Sequence, residues 1–487
     1  MIINLKKKLL LVALFAPIML LSSCSEEEAL APTTTTGSTI ETDSTTTNEY
    51  AYVNNWILAN MDYYYYWTEE IPEETDLTLE PSAYFESLLN TYDESTNPQG
   101  DRFSFISEDA DELTSSLSGE TTSTGMEYRL FYVSSTGNEV LAQIIYTIPG
   151  SPAADAGLQR GDMFTKVNGT TITDENYVDL LFYTTDMAIT LVEQENTGLV
   201  ETGEVVDLSA TVLQEDPIFL DTVYQVDGMT VGYLVYNQFI PAPNNSTGTE
   251  YDDKLNEIFT EFKTQGVNEL IVDLRYNPGG YVTSAVTLAS LIGTGVSSNL
   301  LFFKEEYNDA LQEEIENYYG VSYFNQYFSD LSGNIGGQIS SVYFIVTGSS
   351  ASSSELVING LKPYMNVYLV GETTYGKNVG SITITDDDNS ENNWALQPIV
   401  MKAYNSIGNS DYTAGFDPDI AVSENSELVP FGDTNDPMLG AALAAISGSV
   451  RFAAPSEQDA PKVIGSSISK KKVTLKKISS EVLIEGM

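Results

Sequence analysis

Three short segments carry the side chains best suited to chemistry, and each follows an apolar run that reads as a strand. The first is Asp273-Leu274-Arg275-Tyr276-Asn277-Pro278-Gly279-Gly280. Paired glycines let a backbone approach a ligand and aim amides at an anion, although Asn-Pro-Gly is also an ordinary turn. The second is Gly348-Ser349-Ser350-Ala351-Ser352-Ser353-Ser354-Glu355, which opens a helix. A hydroxyl there lies in a field that favours an alkoxide or a tetrahedral oxyanion. Equally, Ser352 to Glu355 has the form of a capping box, a structural way to begin a helix. The third is Gly371-Glu372-Thr373-Thr374-Tyr375-Gly376-Lys377. A lysine between small residues at the mouth of a parallel sheet can be desolvated, and burial lowers an ammonium pKa. A neutral amine can then take a serine proton; an ordinary solvated lysine is the competing reading.

What the chain lacks narrows the chemistry further. Its 487 residues include no histidine and one cysteine, Cys24. That removes a Ser-His-Asp triad, a Cys-His pair and any zinc site built on imidazole or clustered thiolates. Carboxylate sites for hard metals, paired carboxylates and nucleophiles activated without imidazole survive. For a hydrolase with a covalent intermediate, lysine is the remaining base, and no cofactor is called for. Seventy acidic residues against 21 basic ones give a net charge of −49. Such a surface repels phosphate backbones, which argues against nucleic acid as a partner. At 42% apolar the chain can bury a core, and its length suits about three domains.

The elements around these segments alternate. After about Thr222 the pattern predicts strands at Val231–Val235, Leu270–Leu274, Val342–Val346 and Val367–Val370, with helices at Leu255–Phe262, Val282–Ile292 and Ser352–Leu361. Repeated β-α-β units predict an α/β domain with a largely parallel sheet, closed by a helix at Met438–Ile446. Upstream, Val53, Trp56, Ile57, Met61 and Tyr64 recur at helical spacing within Tyr50–Trp67, and a second helix is predicted over Ser82–Asn90. The run Tyr63 to Trp67 reads as the aromatic core of a small helical subdomain rather than a sugar-stacking platform. Between these regions, Leu130–Val133 and Val140–Tyr146 read as short strands.

That middle region then continues Pro149-Gly150-Ser151-Pro152-Ala153-Ala154-Asp155-Ala156-Gly157-Leu158, Gly161-Asp162-Met163 and Val167-Asn168-Gly169. This resembles the PDZ domain, which takes an extended peptide as an added strand and holds its terminal carboxylate with backbone amides. Gly125-Met126-Glu127-Tyr128 is an approximate counterpart of the carboxylate-binding loop.

With the PDZ unit in place, the three segments resemble the C-terminal processing peptidases, or tail-specific proteases. These are Ser-Lys enzymes with a PDZ domain ahead of a crotonase-like α/β core. Their nucleophile lies in a Ser-Ala-Ser-x-Ser-Glu segment and their base in a Gly-Glu-x-x-x-Gly-Lys segment. The matching positions are Ser352 and Lys377, twenty-five residues apart as the family requires, and Gly415-Phe416-Asp417-Pro418-Asp419 also matches. The resemblance implies attack by Ser352, proton removal by Lys377, an acyl-enzyme, and an oxyanion hole from the Ser353 amide and one amide of Gly279 or Gly280. Glu355 matches an auxiliary polar residue near the lysine in some members. Others place an aspartate eleven residues after the nucleophile, where this chain has Pro363. Ser349, Ser350, Ser353 and Ser354 stay conceivable nucleophiles without the family register.

At the amino terminus, Lys6, Lys7 and Lys8 precede the apolar run Leu9–Leu21, which is too short to span a bilayer but suits a signal peptide. Leu21-Ser22-Ser23-Cys24 resembles a bacterial lipobox, implying lipidation at Cys24 and an exported protein held in the outer membrane by its lipid anchor alone. Ser25-Glu26-Glu27-Glu28 resembles an export signal to the outer face, or is a solvated tether. The expected organisation is a signal peptide (1–23), a Thr/Ser/Pro-rich tether (24–48), a helical subdomain (49–115), a PDZ-like domain (120–215), a Ser-Lys peptidase core (222–450) and a C-terminal tail (451–487). That tail carries Lys470, Lys471, Lys472, Lys476 and Lys477 with no assigned function. The expected function is an exported serine endopeptidase acting on polypeptides, bound through their C-termini at the PDZ-like unit. The competing expectation is a non-catalytic peptide- or glycan-binding lipoprotein on the same fold, and a weaker one is a thioester hydratase.

Overall fold

The computed structural model describes residues 48–449, apart from 135, 196, 197, 245, 425 and 426, together with residues 463–468. The signal segment, Cys24, the tether and the lysines of the tail lie outside the described residues.

A helical unit opens the described chain. Helix α1 (Ala51–Tyr64) buries Ile57, Met61 and Tyr64 along one face, as its spacing predicts. It stops three residues short of Trp67 because Tyr65 turns extended, and the Tyr66 amide donates instead to the Ile399 carbonyl at 2.8 Å. Helix α2 (Pro81–Ser87) starts on a proline with Glu80 capping its first amides, the arrangement that suits an N1 proline. Helix α3 (Ala110–Leu117) is capped by Asp109. Tyr64 and Tyr65 pack with Phe85 and Leu88 in the main core, so this part of the aromatic run is structural.

The PDZ-like unit is an antiparallel sheet of β1 (Met126–Tyr132), β2 (Val140–Thr147), β3 (Met163–Val167), β4 (Asp186–Glu195) and β5 (Gly198–Ser209), hydrogen-bonded in that order. Two short helices, α4 (Pro152–Asp155) and α5 (Tyr177–Phe182), accompany it. Ser151 caps α4 and Pro152 occupies its first turn. Leu130, Ala142, Ile144, Phe164 and Ile189 fill the centre without exposure.

The largest domain is built on β6 (Ile218–Val226), β7 (Met229–Tyr236), β8 (Glu269–Asp273), β9 (Ser341–Val346), β10 (Asn366–Gly371) and β11 (Ile420–Ala421), in that spatial order. The β6/β7 pair is antiparallel and every later neighbour parallel. Helices α6 (Glu250–Thr264), α7 (Val282–Ile292) and α9 (Ser353–Leu361) cover one face, over Leu234, Leu270, Val272 and Phe344. Helix α8 (Asp309–Tyr319) adds Leu311 and Ile315 to the same core. Helix α10 (Pro437–Ile446) covers the other face, over Tyr233, Val235, Ile271 and Val370. Alternate residues of each strand meet two covered faces, which is why these strands read as continuous apolar runs. Because β8, β9 and β10 are parallel neighbours, their C-terminal ends share one edge, where open α/β sheets place their ligands.

Part of the expected C-terminal tail contributes to a sheet. Residues Val463–Ser466 form β12, which pairs antiparallel with β1 and extends the PDZ-like sheet. The segment is too short and too poor in alternation to announce itself as a strand; only its partner edge makes it one.

A buried ionic seam joins the PDZ-like unit to the large domain. Arg275 is 1% exposed and forks onto Asp273 and Asp436 at 2.7–3.1 Å. Glu424 then receives Arg275 (3.0 Å), Arg160 (2.5 Å) and Arg129 (2.9 Å), the last two from the PDZ-like unit. Burial acts to raise the Glu424 carboxyl, but the three guanidiniums override it and hold the group well below the usual carboxylate range. Removing one partner of a buried ion network strands the others, at a cost of about 3 kcal/mol or more. Glu424→Gln is therefore expected to lower the first thermal transition and to speed proteolytic nicking between β5 and β6. Parent-like melting together with parent-like protease resistance would contradict this account of the seam.

Candidate active site

The three segments singled out in the sequence leave β8, β9 and β10 at the same sheet edge. Their backbones are stitched together before any side-chain chemistry begins. The Ala351 amide donates to the Asn277 carbonyl at 3.2 Å, and the Tyr375 amide to the Ser350 carbonyl at 3.0 Å. Three serine hydroxyls of the second segment donate into the first: Ser350 to the Leu274 carbonyl (2.7 Å), Ser353 to Gly280 (2.6 Å) and Ser354 to Asn277 (3.0 Å). These three are thus spent on structure, which separates them from Ser352.

Ser352 sits at the N-cap of α9 with φ at +54° and ψ at −115°. This is why the helix begins at Ser353 rather than Ser352. A side chain held at positive φ is strained and persists only where its surroundings over-determine it. Here Gly279 lies against it: a Cβ on Gly279 would fall 2.8 Å from Ser352 Cβ and 3.1 Å from the Ser353 nitrogen, and Gly279 itself has φ of +110°. Ser352 and the Gly279-Gly280 backbone therefore form one tight corner at the positive end of a helix.

Glu355, one turn into α9, joins this corner to the lysine loop. Its carboxylate is fully buried and accepts the Ser352 amide (3.1 Å), the Lys377 amide (2.8 Å), the Gly376 amide (2.7 Å) and the Thr374 hydroxyl (2.6 Å). One oxygen, Oε2, receives both Ser352 and Lys377, which sets those two residues beside one another. Burial raises the Glu355 pKa, and the four donors oppose it.

Lys377 is 2% exposed and Ser352 3%. Burial lowers the Lys377 amine to about 7, with the Asp101 carboxylate pushing back upward and the Arg102 guanidinium adding to the depression. The walls come from the helical unit: Lys377 Nζ lies 4.5 Å from the Phe103 ring centroid. Arg102 donates to the carbonyls of Gly376 and Thr413, each at 2.6 Å. Asp101 in turn caps the Phe103 and Ser104 amides. The Gly415–Asp419 segment buttresses the loop, as the Thr374 amide donates to the Phe416 carbonyl and the Phe416 amide to Thr374 Oγ1.

The two glycines differ. The Gly279 amide donates to Asn277 Oδ1 at 2.8 Å, whereas among the described residues the Gly280 amide has no such partner. Sequence reasoning missed Asp101, Arg102 and Phe103. They shape the lysine's environment from 274 positions away in the Arg102–Gly376 case, and no local pattern signals such a contact.

If the Ser352 backbone is strained, relieving it has a measurable consequence. Ser352→Gly is expected to be more stable than Ser352→Ala by about 1 kcal/mol, since glycine adopts positive φ freely and alanine does not. Chemical denaturation of the two variants checks this, and an alanine variant as stable as the glycine one would remove the strain from the account.

Comparison with known proteins agrees with this architecture. The chain matches the Peptidase S41 N-terminal domain over residues 52–105, a PDZ domain over 144–184 and Peptidase family S41 over 230–422. The crystal structure of an S41 protein from Bacteroides fragilis NCTC 9343 superposes with a TM-score of 0.67 at 30% identity, covering 81% of this chain and 98% of that one. The carboxy-terminal processing protease CtpA of Bacillus subtilis (strain 168) is 26% identical over 273 residues, 56% of this chain and 51% of the relative. The carboxy-terminal-processing protease of Bartonella bacilliformis is 24% identical over 323 residues, 65% of each. The chain thus spans between half and just under two thirds of the length of these two curated relatives. The expected resemblance holds, and on its sequence and fold the chain belongs to peptidase family S41.

Proposed function

We propose that this protein is a serine endopeptidase working through Ser352 and Lys377. The observation that carries the reading is a buried lysine held near neutrality on a loop tied, through one carboxylate, to a serine at a helix start. At neutral pH much of such an amine is unprotonated and can accept the hydroxyl proton as Ser352 Oγ bonds to the scissile carbonyl carbon. The amides of Ser353 and Gly280 stabilise the resulting oxyanion. Collapse breaks the C–N bond, the Lys377 proton leaves with the amine, and water then clears the acyl-enzyme by the same route. Glu355 acts as a positioning residue, since its lone pairs are occupied by backbone and hydroxyl donors.

The substrate on this reading is polypeptide in extended form, and the names of the Bacillus and Bartonella relatives support action near C-termini. Both reacting groups are shielded, so entry of a polypeptide requires some surrounding element to part.

The test is turnover of an unfolded polypeptide by the chain from Ser25 onward beside Ser352→Ala and Lys377→Ala. Each substitution is expected to reduce kcat/KM on the order of a thousandfold or more. Equal activity in all three would defeat the assignment and leave the binding-protein alternative. The pH profile adds a sign. A protonated amine cannot act as base, so kcat/KM should be low in acid and climb to a plateau with a midpoint of about 7. A limb near ~10.4 would mark a solvated, uninvolved lysine.

We also propose export and lipid anchoring at Cys24 in the outer membrane. The lipobox-like Leu21-Ser22-Ser23-Cys24 behind a lysine-led apolar run supports it. Cys24→Ser is expected to abolish labelled palmitate incorporation and free the protein from the membrane fraction; retained label would refute the anchor.

A further inference from the structure

The strand β12 does more than lengthen a sheet. It pairs with β1, the strand that follows Gly125, with Val463 opposite Phe131, Gly465 opposite Leu130 and Ser466 opposite Arg129. On its other side is α5: a Cβ on Gly465 would lie 3.6 Å from Leu130 and 3.9 Å from Tyr177. Ile464 packs on the apolar cluster that Tyr177, Leu180 and Phe182 of α5 also join. Ser467, just past the strand, binds the same edge through its side chain: its hydroxyl accepts the Tyr128 amide at 2.8 Å and donates to the Tyr128 carbonyl at 3.2 Å. An extended segment between an edge strand and a helix, running antiparallel to that strand, is the way such a unit holds a peptide. In this structure the peptide is the chain itself.

Its continuation bears on the kind of peptide the groove accepts. The chain passes beyond the strand to Ile468, which is buried beside Ile145, Tyr146 and Tyr276, so the occupant enters as an internal segment and not by a free carboxylate. Ser467 borders a cavity of about 520 Å³ whose walls include Asp111, Glu112, Glu120 and Glu127. Carboxylates there oppose a terminal carboxylate and suit a cation. The sequence supplies Lys470-Lys471-Lys472 shortly after.

We propose that residues 463–468 are a resident ligand of the PDZ groove, occupying the peptide site with a β-branched, small-residue segment followed by lysines, and that an incoming polypeptide must displace them to pair with β1. The identity of the competitor as substrate rests on the peptidase reading above; the competition itself requires no turnover.

The experiment uses the chain from Ser25 onward carrying Ser352→Ala, and a fluorescein-labelled peptide of residues 460–472 as probe, read by anisotropy. Adding Ile464→Asp, which removes the apolar side chain from the groove, is expected to tighten probe binding at least tenfold. Ser467→Ala, which removes only the hydroxyl bonds to Tyr128, should tighten it about threefold, and higher salt should weaken the probe in every case. Equal affinity in the parent and both variants would overturn the proposal, as would absence of probe binding to all three. Should Ile464→Asp fail to fold, Ser467→Ala decides alone, an unchanged affinity counting against the proposal. A chain without peptidase activity would remove the catalytic reading and leave this measurement intact.

Discussion

The site depends on one buried carboxylate. Glu355 has no cation within ion-pair distance among the described residues, and it is stabilised instead by four converging donors. A buried carboxylate without hydrogen bonds would be expensive, whereas one saturated by backbone amides becomes a rigid post. Because the donors come from the loops after β9 and β10, the post fixes those loops against each other. The placing of Lys377 beside Ser352 thus follows from satisfying a buried carboxylate: Thr374 and Gly376 must present their donors where they do, and Lys377 is carried along. The same saturation leaves Glu355 ill placed to exchange protons.

The lysine is tuned by exclusion. Its amine lies over the face of Phe103, with the Asp101 carboxylate and the Arg102 guanidinium acting in opposite senses. Desolvation dominates, which is the sense a base needs, because it penalises the charged form. The wall is supplied by the N-terminal unit, so that unit sets the environment of the Lys377 amine. Arg102 secures the arrangement by gripping the carbonyls of Gly376 and Thr413.

What could be read in advance follows from the range of the interactions. The parallel strands were legible because burial on both faces leaves apolar runs such as Leu270–Val272, and the serine and lysine because each lies in a local segment with a distinctive pattern of small residues. Glu355 was legible as a cap but not as the acceptor of donors from another loop. Asp101 and Phe103 were not legible as the lysine's wall, since their contact is made only after the helical unit docks. The end of α1 at Tyr64 was set by the Ile399 carbonyl, a tertiary partner that competes with the next helical turn. The strand at Val463 was hidden for the opposite reason: a few residues of weak propensity become a strand only when an open edge is offered.

That weakness matters for how the groove could be emptied. Each net hydrogen bond of a short added strand is worth about 1 kcal/mol, and the strand carries one well-covered apolar side chain, Ile464, beside an exposed valine, a glycine and a serine. The segment holds its place largely because it is tethered, and a tether of modest length supplies an effective concentration on the order of millimolar. A polypeptide that pairs with β1 through larger side chains on α5 gains more apolar burial than Ile464 provides and can win that exchange without any change in the groove. Such exchange would also disturb Ile468, whose neighbours include Tyr276, a residue that donates to Glu424 and lies three positions ahead of Gly279. The peptide edge, the ionic seam and the glycine corner are therefore physically contiguous, so the occupancy of one can bias the packing of the next.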